Sequence, residues 1–467
     1  MKSSFTLFVT LLLLTVPIAL AAPAQPPLVI HHVNIIDATG SPLQPDMAVT
    51  IQGDRILRIE KAARTRIPAG AQVIDATGKF LIPGLCDMHV HIIFGDWIPG
   101  GKQVSLPLFV ANGVTGVRDM GGDLDTLLEW RKEISAGTLI GPRMIIAGPM
   151  LDSPKSRFPS SLSIATPEEG RKAVNDLKAK GVDFIKVQSF VQRDAYLAVA
   201  DECKKQKLTL AGHVPDVMRA SEAVDAGQKS IEHLTGVFEG CSTAEDELLK
   251  GPKGPKRFLD THDPLKCAAL ISKFAQHRTW QVPTLVWERG QWLIDDIDYS
   301  HDPLLKYAPQ SWQKKSWPVF TKSILSDLDT DEVAVRRRFV KKELEIIGVM
   351  HRSGVPLLAG TDTAAGVDVL PGSSLHTEME YMVEAGLSPM DALQTATRNP
   401  AEFLGLQKDL GTIAKGKIAN LVLLEANPLE DIRNTRKISA VILNGRLLDR
   451  AELDGMLSKI AEYAAGH

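Results

Sequence analysis

The stretch "VIDATGKFLIPGLCDMHVH", residues 73–91, decides how the chain is read. It begins as a β-run, turns at Thr77-Gly78, resumes as the apolar "FLIP", and then sets His89 and His91 one residue apart at the end of a buried-strand pattern. Side chains of a strand alternate faces, so the two imidazoles point the same way. Near the C-terminal end of a barrel strand they can converge on one metal ion at Zn–N distances of roughly 2.0 to 2.1 Å. Asp87 shares their parity and reads as core support. An HxH pair alone is weak evidence, and its meaning depends on whether ligand types recur downstream at the spacing of a repeating fold.

They do recur. From residue 83 the chain alternates short apolar runs with amphipathic helical stretches, the pattern of a parallel sheet with helical crossovers. Eight runs stand out: 84–91, 114–120, 143–148, 183–188, 208–214, 230–234, 280–286 and 355–362, the number that closes a (β/α)8 barrel. Lys186 sits in the fourth, His213 ends the fifth, His233 the sixth and Asp362 the eighth, where this fold carries its chemistry. In "TPEEGRKAVNDLKAKG" the signals for a helix are complete: Thr166 as N-cap, Pro167 at N1, Glu169 three residues after the cap and Gly181 past the end. Ser388, Pro389 and Asp391 repeat them. Two long connections, about 235–279 and 287–354, hold Trp287, Trp292, Trp312 and Trp317 and are candidates for a lid over the pocket. The charge run "RRRFVKKELE" reads as a solvated helix face.

Outward from this middle, residues 28–82 are β-patterned, and strand-like pieces return in "ANLVLLEANP" and "ISAVILNGRLL". The expected architecture is α/β: a TIM barrel over 83–405 with a small β-sandwich built from both ends, 22–82 and 406–450, and a helical tail over 451–467. Lys2, the apolar run from Phe5 to Leu20 and the small residues Ala19-Leu20-Ala21 form a signal peptide over 1–21, so the mature chain is expected to be exported, periplasmic or secreted. No later run is long enough to span a bilayer, so no stable membrane insertion is expected after the signal is removed. A net charge of -3, from 53 basic and 56 acidic residues, gives no basic surplus for nucleic acid. Oligomeric state is not legible, and a homo-oligomer stays open. Four cysteines are too few for a disulfide scaffold; Cys241 and Cys267 share one insertion and could pair in an oxidising compartment.

The stretch at 73–91, Lys186, His213, His233, "GTD" at 360–362, "SLHTEMEYMVEAGLSPMDALQTATRNPAEFLG" and "GTIAKGKIANLVLLEANP" together resemble the amidohydrolase superfamily, particularly its secreted imidazolonepropionase-like and prolidase-like (Xaa-Pro dipeptidase-like) members. The resemblance implies a binuclear zinc site: His89 and His91 with Asp362 on one metal, His213 and His233 on the other, and Lys186, carboxylated by CO2, bridging the two. It implies cleavage of amide C–N bonds in small substrates such as dipeptides or N-acyl amino acids. A bridging water, made acidic by the metals, supplies hydroxide, and Asp362 moves its proton to the leaving nitrogen. A lysine ammonium beside two dications would be repelled, whereas its carbamate is an anionic oxygen ligand. Gln188, two residues beyond Lys186, is a candidate substrate contact, although similar family members often carry tyrosine there. Arg118 could bind a substrate carboxylate or pair with a buried acid. His376, which opens the helix after the eighth strand, is either structural or a support for the metal ligands. Two alternatives remain: a one-metal deaminase or cyclic-amide and lactone hydrolase, for which the residue three after His213 is usually glutamate and here is Asp216, and a non-catalytic barrel that binds without turnover.

Overall fold

The computed structural model describes residues 26–93, 99–156, 158, 161–296, 301–325 and 330–467, so the signal-peptide reading of 1–21 lies outside the described residues. Both ends of the chain build one eight-stranded sheet. Its strands are β1 (Leu28–Ile35), β2 (Gln44–Gln52), β3 (Arg55–Lys61), β4 (Gln72–Asp75) and β5 (Phe80–Pro83) from the N-terminal side, and β15 (Leu421–Leu424), β16 (Ile438–Leu443) and β17 (Arg446–Leu448) from the other. The order is β17-β16-β15-β5-β1-β2-β3, with β4 beside β1. The alternation of strand side chains lets this sheet serve two cores. Leu81, Leu421, Leu423 and Ile442 pack with Ile30, Val49 and Ile56 in the sheet's own core. Their neighbours Ile82, Val422, Leu424 and Val441 face the other way, into the main core of the barrel.

The barrel follows directly. Its strands are β6 (Leu85–Val90), β7 (Val114–Asp119), β8 (Arg143–Ile146), the short β9 (Leu151–Asp152) and β10 (Leu162–Ser163), then β11 (Phe184–Val187), β12 (Thr209–Gly212), β13 (Ser230–Glu232) and β14 (Trp280–Val282). Pairing is parallel throughout. Two of the eight expected runs depart from regular strands. The third, 143–148, is regular only over β8, and after a turn at Gly148, whose φ is +70°, the unexpected short strand β9 follows it. The eighth, 355–362, closes the barrel through separate backbone hydrogen bonds: Leu358 N–H to Gln281 O (3.0 Å), Met88 N–H to Ala359 O (2.9 Å) and Asp362 N–H to His89 O (2.8 Å). Pro356 lacks an N–H and Asp362 turns at φ +56°, which prevents a continuous ladder there.

Helical signals are realised as written. Thr166 Oγ1 accepts the Glu169 N–H and Glu169 answers at the Thr166 N–H, at the head of the helix Pro167–Lys180, and Ser388 and Asp391 do the same for Pro389–Thr395. The run "RRRFVKKELE" lies on the helix Thr330–Arg352; it is not a purely solvated face, because Phe339, Val340, Glu343 and Leu344 are buried. The tail is the helix Arg450–Gly466. Its Ile460 packs with Trp312 and Trp317, so it braces the segment that roofs the pocket. No helix among the described residues is long and apolar enough to cross a membrane. Cys241 and Cys267 are joined by a disulfide; Cys86 and Cys203 are free.

Candidate metal centre

All four histidines, Lys186 and Asp362 line one cavity of about 690 Å³ at the C-terminal ends of the barrel strands. His89 lies on β6 and His91 directly follows it, and both line the cavity, as their parity requires. His213 follows β12, His233 follows β13 and Asp362 ends the closing segment. His233 and Asp362 stand at φ +57° and +56°, a region costly for side-chain-bearing residues and found where surrounding structure enforces a functional geometry.

Asp362 is the point of convergence. Its Oδ1 lies 3.2 Å from His91 Nε2 and 3.5 Å from His89 Nε2, and its Oδ2 lies 3.8 Å from His233 Nε2. The His213 and His233 rings are 4.9 Å apart, centre to centre, and the His89 and His233 rings 4.6 Å. The Nδ1 atoms face outward to fixed partners. His91 donates to Gly121 O (2.7 Å), and His89 donates to Glu232 Oε2 (2.8 Å). His233 Nδ1 meets Thr284 Oγ1 (2.7 Å), whose own proton goes to Pro283 O, so the imidazole is the donor. His213 Nδ1 meets Ser189 Oγ (2.7 Å). A ring that donates from Nδ1 presents the Nε2 lone pair inward, the state a metal ligand needs. His89 Nε2 is buried and makes no hydrogen bond. Donor types, directions and this unengaged atom fit a divalent metal.

The electrostatics agree. Burial depresses the His89 imidazole well below its usual range and His233 to about 3, so both are neutral. Burial also opposes protonation of His91, but the hydrogen bond and charge of Asp362 outweigh it and raise that pKa. Burial would raise Asp362; the His91 hydrogen bond and the neighbouring His233, His91 and Lys186 side chains outweigh this and hold it below the usual carboxylate range. Lys186 is 1% exposed, and burial lowers it to about 8. No carboxylate among the described residues lies within ion-pairing distance of it.

Of the readings left open for two residues, Arg118 as a substrate contact and His376 as a support for metal ligands are not met. Arg118 does not reach the cavity: it is fully buried beneath it, with both Glu232 oxygens at 2.9 Å, Ser230 Oγ at 3.0 Å and Met88 O at 2.6 Å, between the rings of Phe184 and Phe403. It pairs with a buried acid. His376 supports no metal ligand; it bonds Thr435 Oγ1 (2.9 Å) and Asn112 O (3.1 Å), tying the barrel to the C-terminal segment. Gln188 does line the cavity, as do Trp287, Trp292 and Trp317 from the long connection, whereas Trp312 is buried behind them. Asp87 supports the core, accepting from His89 N–H, Thr361 N–H and Thr361 Oγ1. The reading of the sequence missed Glu232, Ser189 and Thr284, which orient three of the rings. The one available signal was adjacency, since Glu232 precedes His233 and Ser189 follows Gln188.

The amidohydrolase family model matches residues 80–448. The ochratoxinase of Aspergillus niger is 25% identical over 390 residues, covering 77% of this chain and 73% of that protein. Adenine deaminase 3 of Rhizobium meliloti is 24% identical over 455 residues, covering 93% of this chain and 60% of the deaminase. Among solved structures, a bottromycin amidohydrolase superposes with a TM-score of 0.75 at 24% identity, over 93% of this chain and 90% of the other.

Proposed function

The chain belongs to the amidohydrolase family, and from that premise we propose that it is a zinc-dependent, binuclear hydrolase of amide C–N bonds in small substrates such as dipeptides and N-acyl amino acids. The observation that carries this reading is the convergence of four inward-facing imidazoles, Asp362 and a buried Lys186 on one cavity. His89, His91 and Asp362 would hold one metal, His213 and His233 the other, and a carbamate on Lys186 would bridge them. Metals so held polarise a scissile carbonyl and lower the pKa of a coordinated water toward neutrality.

The chain's own residues supply the rest. Asp362, kept below the usual carboxylate range, is unprotonated at neutral pH and can accept a proton at Oδ2 and return it to the leaving nitrogen. With its pKa near 8, Lys186 has a neutral fraction that can take up CO2. Trp287, Trp292 and Trp317 exclude water from one side of the cavity. The one-metal deaminase reading loses support from Asp216, which is tied to Lys253 (3.1 Å) and does not line the cavity. Export is part of the proposal, and the Cys241–Cys267 bond fits an oxidising compartment.

Elemental analysis of protein produced with zinc and bicarbonate tests the reading, with Lys186→Ala beside it. Two metals per chain in the parent and fewer in the variant support it. One metal in both favours the mononuclear alternative, and none favours the binding barrel.

A further inference from the structure

Two buried acceptors in the cavity wall have no partner. Asp152, fully buried at the end of β9, accepts the N–H groups of Ser153 (2.9 Å) and Phe190 (3.2 Å) at Oδ1, while its Oδ2 bonds to nothing. Gln188, 6% exposed, likewise has an unengaged Oε1. Strand pairing sets them side by side: Val187 registers with Leu151, and the Gln188 N–H donates to Leu151 O at 2.9 Å. β9 is clamped between β10 and β11, so the pair sits on rigid backbone. Both residues line the cavity that holds the metal ligands.

Such an arrangement is costly unless something answers it. A carboxylate oxygen withdrawn from water without a donor is destabilising, and native structures leave few such atoms unless a ligand meets them. Among the described residues no lysine or arginine lies within ion-pairing distance of Asp152. Among the described residues the lysines and arginines lining the cavity are Lys186, beside the candidate metal ligands, and the exposed Lys315. The same cavity is also lined by the aromatic side chains of Phe158, Phe190, Trp287 and Trp317. A positively charged donor that arrives with a substrate would answer both acceptors.

We propose that Asp152 and Gln188 form a subsite for an alkylammonium group of the substrate, so that the enzyme selects amides bearing a free amine over their N-acylated counterparts. This deepens the hydrolase reading and rests on it. An ammonium has three donors and no acceptor, and two adjacent oxygens take two of those donors. In a cavity closed by aromatic rings the charge-assisted bond to Asp152 is about twice as strong as a neutral one. N-acylation removes the charge and leaves Asp152 Oδ2 unanswered.

The amine can belong to the backbone or to a side chain, and three substrates with the same leaving residue separate these: Leu-Phe, N-acetyl-Leu-Phe and N-acetyl-Lys-Phe, assayed on the zinc-loaded enzyme. We expect kcat/KM for a cationic substrate to exceed that for N-acetyl-Leu-Phe by about 10- to 100-fold, the range for a hydrogen bond to a charged group. An advantage confined to Leu-Phe identifies the α-ammonium, and one confined to N-acetyl-Lys-Phe the side-chain amine. Asp152→Asn keeps an acceptor for the two backbone N–H groups and should collapse that ratio toward one, chiefly through KM. A uniform loss across the three substrates would mark Asp152 as merely structural and overturn the proposal. N-acetyl-Leu-Phe turned over as well as the cationic pair would overturn the subsite alone. Failure of all three to react would overturn the hydrolase reading and this one with it.

Discussion

Replacing Glu232 by glutamine separates two consequences of one buried carboxylate. Glu232 is fully buried; it takes both Arg118 contacts at 2.9 Å, the Ser230 hydroxyl at 2.6 Å and the His89 Nδ1–H at 2.8 Å. Removing its charge strands the Arg118 guanidinium, a loss of about 3 kcal/mol, at the low end of the range for breaking a buried pair because the amide oxygen still accepts one N–H. It also weakens the grip on His89, which should cost about 10- to 100-fold in metal affinity. Adding Arg118→Met discriminates the two, since exchanging a whole buried pair for uncharged side chains is often near neutral. The double variant should regain most of the stability and none of the metal affinity. Denaturant unfolding of chelator-treated protein reads the first quantity, and competition with a chromophoric chelator reads the second. Parental metal affinity in the double variant would refute the claim that Glu232 orients His89.

Three further outcomes follow from particular contacts. Burial holds Lys186 near 8; below that pH its ammonium dominates, so bicarbonate-dependent reconstitution of stripped enzyme should slow by about tenfold per unit below 8 and level off above, and a rate flat from pH 6 to 8 would contradict this. The Cys241–Cys267 bond closes a loop of 26 residues, which by loop-closure entropy contributes about 3.5 kcal/mol; reduction should lower the unfolding midpoint, and unfolded, unreduced protein should show two free thiols rather than four. Gly212→Ala should abolish metal binding, because at φ +127° its Cβ would stand 2.2 Å from Val187 O and 2.9 Å from Lys186 Cδ; a variant with full metal content would show that β11 and β12 can part without disturbing the site.

The residues that converge on the cavity could be read from the sequence because they sit toward strand ends, and a strand end announces itself through an apolar run followed by a change of residue type. His89 and His91 carry further information in their spacing, since a period of two puts both on one face. Partners of those ligands are a different matter. Arg118 lies in "VTGVRDM" with the same inward parity a substrate contact would have, and only depth along the barrel axis, which no local pattern encodes, puts it beneath the cavity and not in its wall. For His376 the choice between a structural and a supporting role stays open in the sequence for a related reason: it opens a helix after the eighth strand, yet its partners Asn112 and Thr435 are separated from it by 264 and 59 residues. The short strand β9 and the irregular eighth strand are not legible because an apolar run cannot show where hydrogen bonding stops.

Ring orientation depends on neighbouring elements around the barrel. His91, after β6, is held by Gly121 after β7; His213, after β12, by Ser189 after β11; His233, after β13, by Thr284 after β14. His89 alone reaches across, to Glu232 on β13. A displacement between two adjacent strands therefore does more than move one ligand, because it rotates a ring whose partner belongs to the next strand. The pairing of β11 with β12 is the most exposed to this effect. Lys186 lies on β11 opposite Ala211, Ser189 and Gln188 follow it, and His213 follows β12 and donates its backbone N–H to Val187 O at 3.1 Å. Disturbing that single seam moves the lysine, one imidazole, that imidazole's hydroxyl partner and the Gln188 acceptor together. Metal loss on perturbing it should accordingly be cooperative, affecting both proposed metals, whereas changes confined to Thr284 should weaken only the position that His233 serves.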